Sequence, residues 1–350
     1  VERFLDVALT HENFELVAMY SRSIEKAEEF GKKYGATEFF DDLNEFAKSK
    51  DIDAVYIASP NSLHSYQAIL CLENKKHVLC EKPMASNELE VKAMIDAAKK
   101  NNVLLMEAMR LTVLPNFLKV KENLHKIGKV RRYFASYCQY SSRYDKYKEG
   151  IVLNAFKREL SNGSLMDIGV YCIHPMINLF GMPNKIVSES MLLESGVDGQ
   201  GSALFSYEGA SGVVMYSKIS DSKLPLEIQG EEGTIIIDSI LFKNAKIVYR
   251  DGREEIISVD QKENDMYYEI EALYEETKES LTDDIISEIE EILSIININN
   301  IKCYFAINEY CKNATKGFDL LVSEDGVNFQ VITRNGFNDK YNHGLRTFQA

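Results

Sequence analysis

The stretch His77-Val78-Leu79-Cys80-Glu81-Lys82-Pro83-Met84-Ala85 decides how the rest of the chain is read. Apolar residues run into an acid, a lysine and a proline, and a small polar stretch then opens a helix. Proline fixes its own φ and biases the preceding residue towards extended backbone, which holds Lys82 at the C-terminal end of a strand. In parallel α/β sheets, ligands bind at that end. Taken alone, the same residues also describe a surface Glu–Lys pair before a proline, so the neighbouring segments must decide.

Upstream, Phe14 to Tyr20 reads as a short buried strand ending at Ser21-Arg22-Ser23, and Glu25 to Lys33 as a helix closed by Gly35. A short helix over 42–49 precedes a second apolar strand, Asp53 to Ala58, which ends in Ser59-Pro60-Asn61-Ser62-Leu63-His64 before a helix to Glu73. Downstream of the opening strand, a helix over 87–100 leads to a strand over 103–106 that ends at Glu107-Ala108-Met109-Arg110. Strands alternating with helices at this spacing predict a Rossmann-type doubly wound parallel sheet. Residues 1–12 carry a helical apolar stripe, and no glycine occurs before Gly31. The strand and GxGxxG turn that open a dinucleotide fold and cradle its pyrophosphate are therefore expected to be absent from this sequence.

From about Arg131 short β-rich segments with turn signals follow one another, interrupted by a helix over 164–180 and closed by an amphipathic helix over 267–281. This predicts a second, α+β domain with a mostly antiparallel open sheet. After residue 281 an acidic, isoleucine-rich segment, an Asn/Ile tract (295–301) and a hairpin pattern at 318–332 break the preceding texture. The expected organisation is thus a nucleotide-binding domain over 1–112, a substrate and dimerisation domain over 113–281, and an atypical extension over 282–350.

The 350 residues are 45% hydrophobic with a formal charge of −14, which suits a soluble globular chain and argues against nucleic acid or an anionic membrane as partner. No apolar run approaches the ~18 residues of a membrane span. Six cysteines without a CxxC pair imply neither a metal site nor a disulfide framework. A cytoplasmic location is the expectation.

The segment Asn162 to Pro175 (NGSLMDIGVYCIHP) is the second informative one. Asp167 and Tyr171 stand four residues apart, hence on one helical face, with His174 three further on. A carboxylate and a phenol on an otherwise apolar stripe suit acid–base work with Lys82 as partner. His174 by itself reads as a core histidine and is a secondary candidate.

Together, YSRS (20–23), ASPNSLH (58–64), HVLCEKPMA (77–85) and SLMDIGVYCIH (164–174) resemble the Gfo/Idh/MocA oxidoreductases, most of all their dihydrodiol and D-xylose dehydrogenase branch. The resemblance covers residues 1–280. It implies NAD(P)-dependent dehydrogenation of a sugar or cyclic diol, with Lys82 near the nicotinamide and the reacting oxygen, Asp167 as the segment's acid and Tyr171 as proton donor or acceptor. It places Ser59, Pro60, Asn61 and His64 in the loop beside the cofactor, with Glu81, Glu107 and Arg110 on the nicotinamide side. It also implies a homodimer or higher homo-oligomer. Asn154, Phe156 and Arg158 are candidate substrate contacts beside His174.

Hydride removal from a carbinol carbon requires the hydroxyl proton to leave as well. A phenol of ordinary pKa about 10 is a poor base at neutral pH unless a cation favours its ionised form, a role open to Lys82. NAD enzymes place an acid at the end of the second strand, where this chain has Ser21, Arg22 and Ser23. Arginine flanked by hydroxyls suits a 2′-phosphate, so NADP(H) is expected ahead of NAD(H). The alternative expectation is a catalytically incompetent remnant or binding protein of the same fold, because the pyrophosphate cradle is not in the sequence.

Overall fold

The computed structural model describes residues 1–278 and, as backbone, three later strands. The first half runs α1 (Glu2–Ala8), β1 (Ala18–Tyr20), α2 (Ile24–Tyr34), β2 (Glu38–Phe40), α3 (Leu43–Lys48), β3 (Ala54–Ile57), α4 (Asn61–Glu73), β4 (His77–Glu81), α5 (Glu88–Asn101) and β5 (Leu105–Ala108). Local chemistry sets these boundaries. Ser23, Asp42 and Asn87 accept backbone N–H groups at the starts of α2, α3 and α5, and Glu90 reaches back to accept the N–H of Ser86, the residue before the cap, at 2.9 Å. Gly35 ends α2 at φ +89°, a left-handed conformation that favours glycine.

All strand pairs in this half are parallel, but they form two ladders, β1–β2 and β3–β4–β5. The Glu38 N–H donates to Val17 and the Ser21 N–H to Phe40, so alternation turns the N–H and C=O of Ala18 and Tyr20 away from β2. Likewise the His77 N–H donates to Asp53, which turns those of Ala54 and Tyr56 away from β4. Both edges, unpaired among the described residues, line one cavity of about 750 Å³. This explains two departures from the sequence reading. The apolar run Leu16–Tyr20 is half-buried rather than buried, and only three of its residues form strand. The short β2 was not anticipated, and β5 lies two residues further on than expected.

The second half runs α6 (Pro115–Asn123), β6 (Val130–Cys138), α7 (Ser142–Lys148), α8 (Val170–Phe180), β7 (Lys185–Leu192), β8 (Asp198–Tyr207), β9 (Ala210–Ser217), β10 (Leu226–Gly230), β11 (Gly233–Ile237), β12 (Ala245–Tyr249), β13 (Glu254–Ile256) and α9 (Met266–Lys278). Its eight strands form one sheet in the order β13-β12-β11-β10-β6-β9-β8-β7, antiparallel except for the pair β6–β9. Helix α8 lies on one face, where the Tyr133 hydroxyl donates to the Cys172 carbonyl at 3.0 Å. A Cβ at Gly212 would fall 2.4 Å from the Met176 sulfur, so glycine there permits the close approach of helix to sheet.

Helix α9 returns to the first half. Its Met266, Ile270 and Leu273 join Phe4, Leu5 and Ala8 of α1 and Leu79 of β4 in one buried cluster. Burying such side chains stabilises by about 1.5–3 kcal/mol each, which ties the chain's middle back to its start.

Backbone contacts divide the chain into Val1–Leu293 and Ser294–Ala350. In the latter, β14 (Phe318–Val322), β15 (Asn328–Arg334) and β16 (Leu345–Gln349) form an antiparallel sheet in that order. The hairpin pattern is present as β14 and β15, β16 was not anticipated, and the Asn/Ile tract lies outside the described residues. Among the described residues no helix is long and apolar enough to cross a membrane.

Candidate functional site

Lys82 follows β4 directly, and the turn it begins is braced from three sides. The Met84 N–H donates to Glu107 Oε1 at 2.8 Å, the Pro83 carbonyl lies 2.9 Å from His64 Nδ1, and His64 Nε2 lies 2.9 Å from the Ser59 carbonyl. His64 is wholly buried, so it links the loop after β3 to the Lys82 turn instead of facing a ligand. Asn61 is also engaged: its amide donates to the Ser161 carbonyl at 3.0 Å and to Asn162 Oδ1 at 3.2 Å, tying the nucleotide half to the second.

Asp167 and Tyr171 come from the segment before and within α8. Gly163 opens it at φ +151°, and a Cβ there would fall 2.1 Å from an Asp198 carboxylate oxygen. That carboxylate accepts the Ser164 hydroxyl and the Leu165 N–H, the latter at 2.7 Å, and so anchors the helix start from β8. Residues Leu165–Gly169 form a π-helical turn that carries Asp167, and α8 continues from Val170 with Pro175 inside it. Wide turns of this kind recur at functional sites.

The structure brings Lys82, Asp167 and Tyr171 together. Lys82 Nζ donates to the Asp167 carbonyl at 2.6 Å and to its Oδ1 at 3.1 Å, and stands 4.7 Å from the centre of the Tyr171 ring. The Tyr171 hydroxyl has no hydrogen-bond partner among the described residues. Sequence reasoning missed Lys218, just past β9, whose ammonium donates to Asp167 Oδ2. A lysine after an apolar strand looks like a surface residue, and only the fold shows it buried.

The electrostatics follow from burial and charge. Burial works to raise the Asp167 pKa, but the ammonium groups of Lys82 and Lys218 outweigh it and hold the carboxyl down at about 2. For Tyr171 the balance goes the other way. Burial raises its pKa more than Lys82 and Arg110 lower it, so the phenol is neutral at neutral pH. This corrects the expectation that Lys82 would make Tyr171 a ready base: the ammonium softens a desolvation that the sequence could not display.

The remaining candidates are placed as follows. Ser21, Arg22, Ser59 and Pro60 line the cavity between the two parallel ladders. Arg22 is exposed and without a hydrogen bond or ion pair among the described residues. Glu81 accepts the Tyr56 hydroxyl, and Arg110 Nε pairs with Asp265 at 3.4 Å. His174 faces Glu107 at 3.6 Å, beyond hydrogen-bond reach, and burial pushes its pKa down to about 3. Phe156 is fully buried beneath Lys218, Asn154 is exposed, and Arg158 begins a short turn to Leu160.

Glu107 is buried beneath the Lys82 turn, and burial pushes its pKa from 4.5 to about 7. A carboxyl raised in the folded state loses stability as pH climbs from its unfolded value through the folded one, here by about 3 kcal/mol in all. Glu107→Gln keeps an acceptor for the Met84 N–H without the charge. We expect it to melt well above the parent protein at pH 8 and close to it at pH 5. An equal difference at both pH values would show that Glu107 does not ionise in the folded protein.

A buried lysine, an aspartate and a free phenol at the end of a parallel strand, opposite an open antiparallel sheet, define a two-domain dehydrogenase-like site. The family described as "Oxidoreductase family, NAD-binding Rossmann fold" matches residues 2–109, and the "GFO/IDH/MocA C-terminal domain" matches residues 117–236. The chain is 53% identical over 298 residues to scyllo-inositol 2-dehydrogenase (NADP(+)) IolU of Bacillus subtilis, covering 85% of this chain and 91% of that protein. It is 32% identical over 240 residues to trans-1,2-dihydrobenzene-1,2-diol dehydrogenase of Xenopus tropicalis, covering 67% and 70% of the two chains. KijD10, a 3-ketoreductase from Actinomadura kijaniata solved with NADP, shares the fold at a TM-score of 0.74 and 20% identity, over 85% of this chain and 93% of that one. The chain belongs to the Gfo/Idh/MocA oxidoreductase family.

Proposed function

We propose that the chain is an NADP-dependent dehydrogenase of a cyclic polyol or sugar, with a nucleotide half over 1–112 and a substrate half over 113–281. The observation that carries this reading is the convergence of Lys82 and Asp167 on a tyrosine whose hydroxyl is unengaged. The similarity to IolU supports a cyclic polyol as substrate.

The residues present fit NADP. Arg22 and Ser21 stand at the end of β1 with no acid beside them, and Arg22 is free to pair with a 2′-phosphate. Ser59 and Pro60 face the same cavity. NADP, when bound, supplies the hydride acceptor. Lys82 orients the substrate hydroxyl by hydrogen bonding to its oxygen, and stabilises the negative charge that gathers there. Tyr171 takes the hydroxyl proton in oxidation in its phenolate form, and as the phenol returns it in reduction. Asp167 holds Lys82 in position.

The test is NADPH binding by the 350-residue chain, followed by NADPH formation from NADP and a panel of inositols and aldoses. Binding with turnover of at least one polyol supports the reading, and no turnover with any of them overturns it.

Arg22→Ala should weaken NADPH by about 10–100-fold, the worth of a charge-assisted contact, and leave NADH nearly unchanged. Equal weakening of both cofactors would remove the 2′-phosphate argument.

Pairing of two copies through the open face of the eight-stranded sheet completes the proposal. Val187, Met191 and Leu204 are 55%, 46% and 46% exposed on β7 and β8, an apolar row with no covering element among the described residues.

A further inference from the structure

Lys218 is one of the few buried lysines in the described chain, at 4% exposure. Its backbone is fixed at both ends, with its N–H donated to the Gly199 carbonyl at 2.9 Å and its carbonyl accepting the Ser141 N–H at 2.9 Å. The preceding Ser217 hydroxyl accepts the Ile219 and Ser220 N–H groups at 3.2 and 3.0 Å, which tightens the turn after β9. The side chain passes over Phe156, with Nζ 5.6 Å from the ring centre, and Phe156 is itself packed with Ala155 and Val197. Its only acidic partner among the described residues is Asp167. A buried ammonium held this firmly costs several kcal/mol to desolvate, so its placement calls for a reason beyond stability.

We propose that Lys218 is a positioning residue: by holding one oxygen of Asp167, it fixes the other oxygen and the Asp167 carbonyl on Lys82, and leaves the cluster one positive charge in excess. This rests on the reading of Lys82 and Tyr171 given above. With Lys218 present, two ammonium groups surround one carboxylate. Without it, Lys82 and Asp167 neutralise each other, and the phenolate of Tyr171 loses its net cationic surroundings. The groups that face Tyr171 are Lys82 and Glu81 from the end of β4, Arg110 from the turn after β5, Tyr137 from β6, and Asp167 from the turn before α8. Of the cations that balance this set, Lys218 is the one that acts through Asp167.

The proposal is tested with Lys218→Met and Lys218→Arg. The first readout is the titration of the Tyr171 ring by carbon-13 NMR of the labelled tyrosines, assigned with Tyr171→Phe. It needs no turnover and so stands apart from the proposed activity. The second is kcat for polyol oxidation against pH, with the NADPH dissociation constant beside it. We expect Lys218→Met to move the Tyr171 titration and the rising limb of kcat to higher pH, and to lower kcat by about 10–100-fold. NADPH affinity should hold, and Lys218→Arg should restore the limb and most of kcat. An unchanged Tyr171 titration in Lys218→Met overturns the proposal, as does an arginine variant that is equally impaired with the parent's pH limb. Loss of all polyol turnover in the parent protein, with the Tyr171 titration still moved by Lys218→Met, would reject the assigned activity and leave the role of Lys218 standing.

Discussion

Lys82→Ala should lower kcat for polyol oxidation by about three orders of magnitude while leaving NADPH binding within a few-fold. The side chain is 12% exposed and donates twice to Asp167, to its carbonyl and to its carboxylate. Truncation removes the cation nearest the reacting oxygen, and it also frees Asp167 from the contact that aims it. The Asp167 carboxylate then pairs with Lys218 alone, and Tyr171 loses the ammonium that stands 4.7 Å from its ring. Some stability should be lost too, about 1–3 kcal/mol for a buried carbonyl left without its donor. A melting curve therefore has to accompany the rates. Partial rescue by added ethylamine would show that the missing element is an ammonium in that place. Activity within tenfold of the parent enzyme would remove Lys82 from the site.

Tyr171→Phe should have an effect of similar size by a cleaner route. The substitution deletes one hydroxyl that has no partner among the described residues, so we expect the melting temperature to stay within a degree or two and the ring contact with Lys82 to survive. Turnover should fall by about 10²–10⁴-fold. Because burial raises the Tyr171 pKa, the oxidation rate of the parent enzyme should climb with pH as the phenolate becomes accessible. Reduction of the corresponding ketone should be favoured at lower pH, where the phenol holds its proton. The phenylalanine variant should lose the climbing limb along with the rate. A variant that keeps the limb would assign it to another group.

Much of this was legible before the fold was known. Pro83 and the acid–lysine pair marked the end of β4, and the spacing of Asp167 and Tyr171 put them on one face of the helical segment. Gly163 and Ser164 showed where that segment begins. The parts that were not legible depend on partners distant in sequence. Lys218 looks like any lysine after a strand until Asp167, 51 residues earlier, is seen to receive it. Glu107 reads as a strand-end acid on the ligand side, yet it is sealed beneath the Lys82 turn by the Met84 backbone. His64 reads as a cofactor-side residue, and its ring instead spans two carbonyls. The sign of the Tyr171 shift required the depth of burial, which no periodicity reveals. The half-exposed apolar run of β1 is of the same kind: its composition predicts a covered strand, whereas its exposure depends on what lies along the neighbouring edge.

Around the Lys82 turn, polar contacts between the nucleotide half and the second include Lys82 to Asp167, Asn61 to Ser161 and Asn162, and the Ser161 hydroxyl to the Ser86 hydroxyl at 2.7 Å, while Arg3 and Arg110 reach Asp265 just before α9. The first of these lies at the proposed reaction centre, and the Asn61 and Ser86 contacts flank it like stitches in a seam. Any hinge motion that parted the halves to exchange ligands would therefore dismantle the acid–base apparatus in the same movement. The open molecule would be unable to protonate or deprotonate anything, and the closed one would be sealed while it did so. In the proposed mechanism, timing and chemistry would thus be coupled through one lysine, which would serve both as a latch between the halves and as the charge at the reacting oxygen.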